Sequence, residues 1–179
     1  MKKTVTIFAA SEAGYDQKFV QEAQELGKLI GDKGWNVVCG DGGKLVDAVS
    51  QAAKDNGSNV ANIVTISNIH NDTVGKAYHV KDVYEQQEVL NTAGDAFITL
   101  PGSGMTLAEF FSSLVHNYRT KSKKVNAVLN TNNFFSKLFE FFTSIHEFGF
   151  SKNKRPSAVI LPKSPQKLVD ALAAALART

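Results

Sequence analysis

The residues most suited to chemistry lie in one short stretch, where a glycine-rich turn is followed by a glutamate. The apolar run at residues 96–100 predicts a buried strand, the turn Pro-Gly-Ser-Gly follows at 101–104, and a helix is predicted to begin at Met105 or Thr106. Such a turn can hold an anion, because the backbone approaches the ligand closely and the N–H groups of a helix N-terminus favour negative charge. Glu109, about one helical turn further on, would then face the bound group.

This stretch also has a purely structural interpretation. The pattern Thr106-Leu-Ala-Glu109 fits a capping box, in which Thr caps the helix and Glu bonds back to the N–H of the cap residue. A second glycine turn at 40–43 favours a ligand site, because two such turns can flank one nucleotide. Neither turn is a Walker A sequence or a GxGxxG fingerprint. From spacing alone, both interpretations stay open.

The elements that must position these turns alternate between apolar strands and amphipathic helices. This alternation predicts an α/β fold with a doubly wound, mostly parallel sheet sandwiched by helices, in a single domain spanning residues 1–179. Ligands bind such sheets beyond the carboxyl ends of the strands, which is where the turns at 10–14, 40–43 and 101–104 lie. The predicted strands are residues 3–9, 35–39, 59–66, 77–80, 96–100, 125–129 and 158–161, with six helices between and after them.

Composition narrows the function classes. No apolar run approaches the roughly 18 residues of a membrane span, and a net charge of +3 is too small to indicate nucleic-acid binding. The one cysteine, Cys39, excludes an internal disulfide framework and a cysteine-rich metal site, which favours a cytoplasmic location. We therefore expect no metal, no cofactor, and no nucleic-acid or membrane partner. The four histidines, which lack metal-ligand spacing, are His70, His79, His116 and His146.

Three motifs, in this order and spacing, resemble the Lonely Guy (LOG) family, long labelled "lysine decarboxylase-like". They are Ile7-Phe-Ala-Ala-Ser11 followed by Gly14, Gly40-Asp-Gly-Gly43 before an Ala-rich helix, and Pro101-Gly-Ser-Gly-Met-Thr-Leu-Ala-Glu109. The family signature is PGGxGTxxE, and the resemblance runs from about Lys3 to Ala175. It implies a Rossmann-like fold, a homodimer, and a nucleoside 5′-monophosphate phosphoribohydrolase that separates the base from ribose 5-phosphate. Lysine decarboxylation is rejected, because the chain shows no recognisable pyridoxal-phosphate lysine site.

The resemblance also implies roles for individual residues. Glu109 would be the central catalytic group, stabilising the cationic ribose or activating a water, and Gln86 would contact the ribose hydroxyls. Thr106 would both cap its helix and bind the phosphate. The residues expected to bind the phosphate or nucleotide are Ser11, Gly40, Gly42, Gly43, Gly102, Ser103, Gly104 and Thr106.

Departures from the family pattern keep a second function open. Ser103 and Met105 stand where the signature has glycine, and Gln86-Gln87 aligns with the Arg-Lys pair of active members. Glutamine supplies no cation for charge that develops in a transition state. Asp41 adds a carboxylate to the second turn, and Lys44 is expected to offset it. The alternative is a non-catalytic nucleotide or phospholigand binder, such as a molybdenum-cofactor carrier.

The aromatic segment at residues 134–142 is too apolar for one helix face. Its six apolar members cover more than one face of the predicted helix. We expect part of it in the core and leave the remainder open as a dimer interface.

Overall fold

The computed structural model describes residues 2–68 and 73–178, so His70 and part of the predicted polar loop at 67–76 lie outside the described residues. The strands are β1 (Thr4–Phe8), β2 (Asn36–Cys39), β3 (Val60–Thr65), β4 (Lys76–Val80), β5 (Ala96–Thr99), β6 (Asn126–Val128) and β7 (Val159–Ile160). The helices are α1 (Lys18–Asp32), α2 (Lys44–Asp55), α3 (Val83–Ala93), α4 (Gly104–Thr120), α5 (Ser136–Glu147) and α6 (Pro165–Leu176). The predicted α/β alternation is confirmed.

The strands form one parallel sheet, and the strand order indicates where along the sheet a ligand would bind. That order is β4-β3-β2-β1-β5-β6-β7, and every recorded strand pair is parallel. The chain builds outward from β1 to β4, then crosses back to place β5 on the other side of β1. Val5 accordingly pairs with Val37 on one side and with Ala96 on the other. The topological switch point thus lies between β1 and β5, where doubly wound sheets bind ligands.

Apolar side chains of alternating strand positions fill both faces of the sheet. Val5 and Ile7 pack towards α1, α2 and α6, whereas Phe8 packs with Leu90 of α3 on the opposite face. A third cluster joins Phe110 of α4 to α5. Helices α1 and α2 approach so closely that a Cβ on Gly27 would overlap the backbone oxygen of Val49. The two covered faces hold the strand ends of β1, β2 and β5 in fixed positions.

The aromatic segment divides between the core and the surface. Phe135 and Phe139 are buried, whereas Phe134 and Phe141 are 47% and 62% exposed. Burial of part of this segment is confirmed, and its use as an interface stays a prediction. Among the described residues, no helix is both long and apolar enough to cross a bilayer.

Candidate functional site

A cavity of about 210 Å³ opens at the carboxyl ends of β1, β2 and β5. The turns after these three strands form its walls, α3 contributes Gln86, and the first turns of α4 contribute Thr106 and Glu109. The full lining is Ile7, Ala9, Ser11, Gly40, Asp41, Gly42, Val46, Gln86, Ser103, Met105, Thr106 and Glu109. The cavity therefore lies at the edge of the sheet where the fold places ligands.

The turn after β5 leads into an open helix N-terminus. Ser103 has extended backbone angles and is the N-cap of α4, because its hydroxyl accepts a hydrogen bond from the Met105 N–H at 3.3 Å. Leu107 donates its N–H to the Ser103 carbonyl at 3.1 Å. The predicted start at Met105 or Thr106, with Thr106 as the cap, is wrong. A serine in extended conformation one residue before the helix is already a preferred cap, and Thr106 lies buried inside the first turn.

The other residues of this turn leave the N-terminus of α4 accessible. A Cβ on Gly102 would overlap the Thr106 side chain, so glycine allows the threonine to pack against the backbone there. A Cβ on Gly104 would have no neighbour within 4 Å. Met105 is 70% exposed and contributes to the cavity wall from that outward position. The Met105 side chain therefore lies mostly in solvent at the rim of the cavity.

The turn after β2 is joined to the turn after β1. Gly43 has φ 152°, and a Cβ there would overlap the backbone of Ser11. Lys44 donates its N–H to the Ser11 carbonyl at 2.7 Å, and Gly43 donates its own N–H to Asp47 at 3.3 Å. Glycine at position 43 is needed for this close approach. Gly43 is one of the residues predicted to bind the phosphate or nucleotide, and its N–H is engaged by the Asp47 carboxyl of α2.

Asp41 places a carboxyl in the same turn, and the described cavity wall contains no lysine or arginine to face it. One oxygen, Oδ2, accepts a hydrogen bond from Asn68 at 3.0 Å. The other, Oδ1, is shielded from solvent and has no donor within residues 2–68 and 73–178. Lys44, which was expected to offset this charge, pairs with Glu12 at 3.1 Å on the surface. The electrostatic character of the turn is consequently acidic.

Glu109 and Gln86 meet beside Gly40. A Cβ on Gly40 would lie 3.6 Å from Gln86 Nε2 and 3.7 Å from Glu109 Oε1. Burial, reinforced by the charge of Asp41, raises the pKa of Glu109 from 4.5 to about 8. The Gln86 amide donates to the Ile63 carbonyl at 2.7 Å, which fixes this side chain against β3. A carboxyl that is largely protonated at neutral pH therefore stands next to a fixed amide.

The two ends of the cavity differ in electrostatic character. Its described lining contains two carboxyls, Asp41 and Glu109, and neither lysine nor arginine. The hydroxyls of Ser103 and Thr106, with the N-terminus of α4, form the electropositive end. The site can accept an anionic group at α4 and hold the rest of a ligand against Glu109.

The sequence-predicted residues divide into two groups. Those brought together in the cavity wall are Ser11, Gly40, Gly42, Gln86, Ser103, Thr106 and Glu109. Gly43, Gly102 and Gly104 lie just behind or beside this wall. Sequence analysis missed Asn68, the partner of Asp41, and no local signal marks it. In the described parts of the chain, no group of three or more His, Cys, Asp and Glu residues is arranged to hold a metal ion.

Comparison with known proteins gives matches over most of the chain. The family model described as "Possible lysine decarboxylase" matches residues 46–172. A "Probable cytokinin riboside 5′-monophosphate phosphoribohydrolase LOGL2" of Oryza sativa subsp. japonica is 27% identical over 95% of this chain and 72% of its own length. A "Cytokinin riboside 5′-monophosphate phosphoribohydrolase" of Rhodococcoides fascians is 26% identical over 95% of this chain and 89% of its own length.

Solved structures share the fold at low sequence identity. The molybdenum cofactor carrier protein of Chlamydomonas reinhardtii superposes with a TM-score of 0.76 at 18% identity, covering 100% of both chains. The molybdenum cofactor binding protein of Rippkaea orientalis has a TM-score of 0.75 at 21% identity, covering 98% of both chains. These structures confirm the Rossmann-like architecture of the chain, and the similarity extends to the fold alone.

Proposed function

This chain belongs to the family described as "Possible lysine decarboxylase", the LOG family, and we propose that it hydrolyses a nucleoside 5′-monophosphate to free base and ribose 5-phosphate. The observation that carries the proposal is the position of Glu109, in the cavity wall about one helical turn from the open N-terminus of α4. The substrate class follows the names of the relatives, which are phosphoribohydrolases of cytokinin riboside 5′-monophosphates.

Each end of the cavity suits one part of such a substrate. The phosphate would bind at the N-terminus of α4, where Ser103 and Thr106 offer hydroxyls and the helix dipole favours negative charge. The ribose would then lie against Glu109 and Gln86. Cleavage of an N-glycosidic bond passes through an oxocarbenium-like state, which a neighbouring carboxylate stabilises. The same carboxylate can take a proton from the attacking water.

Lysine decarboxylation is not supported by the residues of this site. A pyridoxal-phosphate enzyme uses a lysine amine to form a Schiff base with its cofactor. No lysine is present in the described cavity wall. The description of the family model therefore does not give the reaction that we propose.

Release of free base tests the proposed hydrolysis. The purified chain is incubated with AMP and with N6-substituted adenosine monophosphates, and the base is quantified by chromatography. Glu109→Ala should lower the rate by about 10³-fold, because it removes the carboxyl proposed to stabilise the cationic ribose and to activate the water. The matched control is Glu88→Ala on the exposed side of α3, which should retain the rate. No base release from any of these nucleotides would exclude the proposed activity.

A second function, non-catalytic binding of a phospholigand, is favoured by the hydrogen bonding of Gln86 and by the lack of a cation beside it in the described cavity wall. The Gln86 amide is engaged by the Ile63 carbonyl, and no lysine or arginine in the described cavity wall replaces the missing cation. A binder would gain thermal stability with AMP and show no turnover. The Gln86→Arg variant separates the two functions, because an incomplete active site would gain hydrolysis and a diverged binding site would not.

We further propose that the chain forms a homodimer through an apolar patch on α4 and α5. Phe111, Val115, Tyr118 and Phe141 are 40%, 53%, 86% and 62% exposed, respectively. Large exposed apolar patches mark interaction sites. Light scattering should report twice the chain mass, and Val115→Asp should reduce it to one. A single domain and a cytoplasmic location also remain proposals, the latter resting on the free, buried thiol of Cys39.

A further inference from the structure

We infer that Asp41 is a positioning residue that keeps one proton on Glu109, so that Glu109 enters the reaction as an acid and protonates the departing base. This inference rests on the proposed hydrolysis, and it names a residue outside the family signature. Both carboxyls belong to the wall of one cavity of about 210 Å³, whose described lining contains neither lysine nor arginine. Two ionised carboxylates in so small a site, together with a phosphate, would repel one another.

A hydrogen bond fixes the position of the Asp41 carboxyl in the cavity wall. Asn68 donates to Oδ2 at 3.0 Å. Oδ1 is shielded from solvent and finds no donor in the described parts of the chain. Glu109 is the other carboxyl of the cavity wall. Ionisation of either carboxyl in this wall opposes ionisation of the other, and the raised pKa of Glu109 agrees with a proton held there.

Within residues 2–68 and 73–178, the other charged and titratable groups near Glu109 can be considered element by element. On β2, Cys39 interacts electrostatically with Glu109, but burial raises the pKa of its thiol to about 12 and keeps it neutral. On α3, the facing side chain is the neutral amide of Gln86. On α2, Lys44 is held by Glu12 at the surface. Burial is the larger cause of the raised pKa of Glu109, and the charge of Asp41 adds to it.

The proton balance of the reaction follows directly. As the bond between C1′ and the base nitrogen breaks, its electron pair goes to the base, and the base nitrogen takes the proton from Glu109. The resulting carboxylate then faces the cationic ribose. Water attacks C1′, its proton returns to Glu109, and the products are free base and ribose 5-phosphate. One carboxyl thus serves first as acid and then as base.

The first test is the titration of Glu109 in the ligand-free protein, followed by carboxyl carbon NMR and assigned by loss of its signal in Glu109→Gln. Asp41→Asn should lower the midpoint by about one pH unit or more. The control is Asp47→Asn, a carboxyl of α2 that also has a buried oxygen without a donor but lies outside the cavity wall. It should leave the midpoint within about half a unit. An unchanged midpoint in Asp41→Asn would overturn the inference.

The second test is the pH dependence of kcat/KM for AMP. If Glu109 acts as an acid, activity falls as pH rises through its midpoint, and Asp41→Asn moves that fall to lower pH by the amount seen in NMR. A shifted NMR midpoint with an unmoved pH profile would overturn the role as an acid. A shifted midpoint with no base release at any pH would instead exclude the proposed hydrolysis and leave the shared proton established.

Discussion

The two glycine-rich turns at the carboxyl edge of the sheet resemble each other in sequence but present different chemistry to the cavity. At 101–104 the backbone is open, and a cap by Ser103 leaves the N-terminus of α4 accessible. At 40–43 the Gly43 N–H is bonded to Asp47, and Asp41 adds a carboxylate. Glycine content alone therefore does not identify a phosphate site. The destination of each backbone N–H decides whether a turn can bind an anion.

The difference between the two turns indicates how a ligand would be oriented in the cavity. An anionic group is favoured at the turn after β5, and a cationic or hydrogen-bond-donating group is favoured near the turn after β2. A ribose that becomes cationic during cleavage suits the second position, and a phosphate suits the first. Four changes to the chain test this division, beginning with the largest expected effect.

A negative charge in the turn after β5 should abolish its preference for anions. Aspartate is as good an N-cap as serine, so Ser103→Asp should keep α4 and lower the affinity for AMP by about 30-fold or more through like-charge repulsion. Calorimetric titration measures this affinity. The control is Ser103→Asn, which also caps a helix but is uncharged and should show a much smaller loss. Equal losses in the two variants would place the phosphate elsewhere.

Removal of the Glu109 carboxyl should stabilise the protein in a pH-dependent way. The pKa of Glu109 is about 8 in the folded protein and about 4.5 when unfolded, so the unfolded state loses its proton first as pH rises. The wild type thus loses stability between about pH 4.5 and 8. Allowing for partial solvent exposure, Glu109→Gln should gain on the order of 2 kcal/mol at pH 8.5 and nothing at pH 4.

Denaturant unfolding at the two pH values measures this gain. Glu88→Gln, at an exposed position on α3, should show no comparable pH dependence. A Glu109→Gln variant that is equally stable relative to wild type at both pH values would contradict the raised pKa.

A methyl group in the turn after β2 should interfere with the nucleoside and spare the phosphate. A Cβ on Gly40 would contact Gln86 and Glu109 at 3.6–3.7 Å, which is ordinary van der Waals distance, so Gly40→Ala should fold normally. It should weaken AMP binding about tenfold, because it occupies space beside the expected ribose. Inorganic phosphate serves as the control ligand and should bind unchanged. An equal loss of affinity for AMP and for inorganic phosphate would contradict this division, because it would show that the turn after β2 also contributes to phosphate binding.

Loss of the Lys44 ammonium should have the smallest effect. Lys44 and Glu12 form a surface pair with 71% and 77% of their side chains exposed. Lys44→Met should therefore change the free energy of unfolding by less than about 0.5 kcal/mol and the AMP affinity by less than about threefold. These are measured by denaturant unfolding and by calorimetric titration. A tenfold loss of affinity would show that Lys44 neutralises the turn after β2 after all.

The sequence pattern was sufficient to predict the order of strands and helices and the edge of the sheet at which the candidate site lies. Apolar runs at the strand positions and helical spacing between them are local properties of the chain, and all seven predicted strands recur in the sheet. Because the strands are parallel, their carboxyl ends meet at one edge, which brings Ser11, Gly40, Ser103 and Glu109 together as expected. Even the edge strand β4, predicted as a brief extended piece at 77–80, is present at 76–80.

The electrostatic details of the site depended on tertiary structure. Thr106 and Glu109 fit a capping box by spacing, but Ser103 takes the cap because the backbone turns one residue before the helix. Lys44 is near Asp41 in sequence, yet the packing of the first turn against the second directs it to Glu12. No local pattern reports the pairing of Lys44 with Glu12, because the two residues are 32 positions apart in the chain.

The chain by itself therefore determined the architecture and the edge of the sheet where the candidate site lies. The fold decided which turn can accept an anion, which amide is held by Ile63, and why Glu109 retains its proton near neutral pH. The physical reason is that hydrophobic periodicity is set by neighbours in sequence. Burial and charge at a site are set by groups from β1, β2, α3 and α4 that meet only after folding.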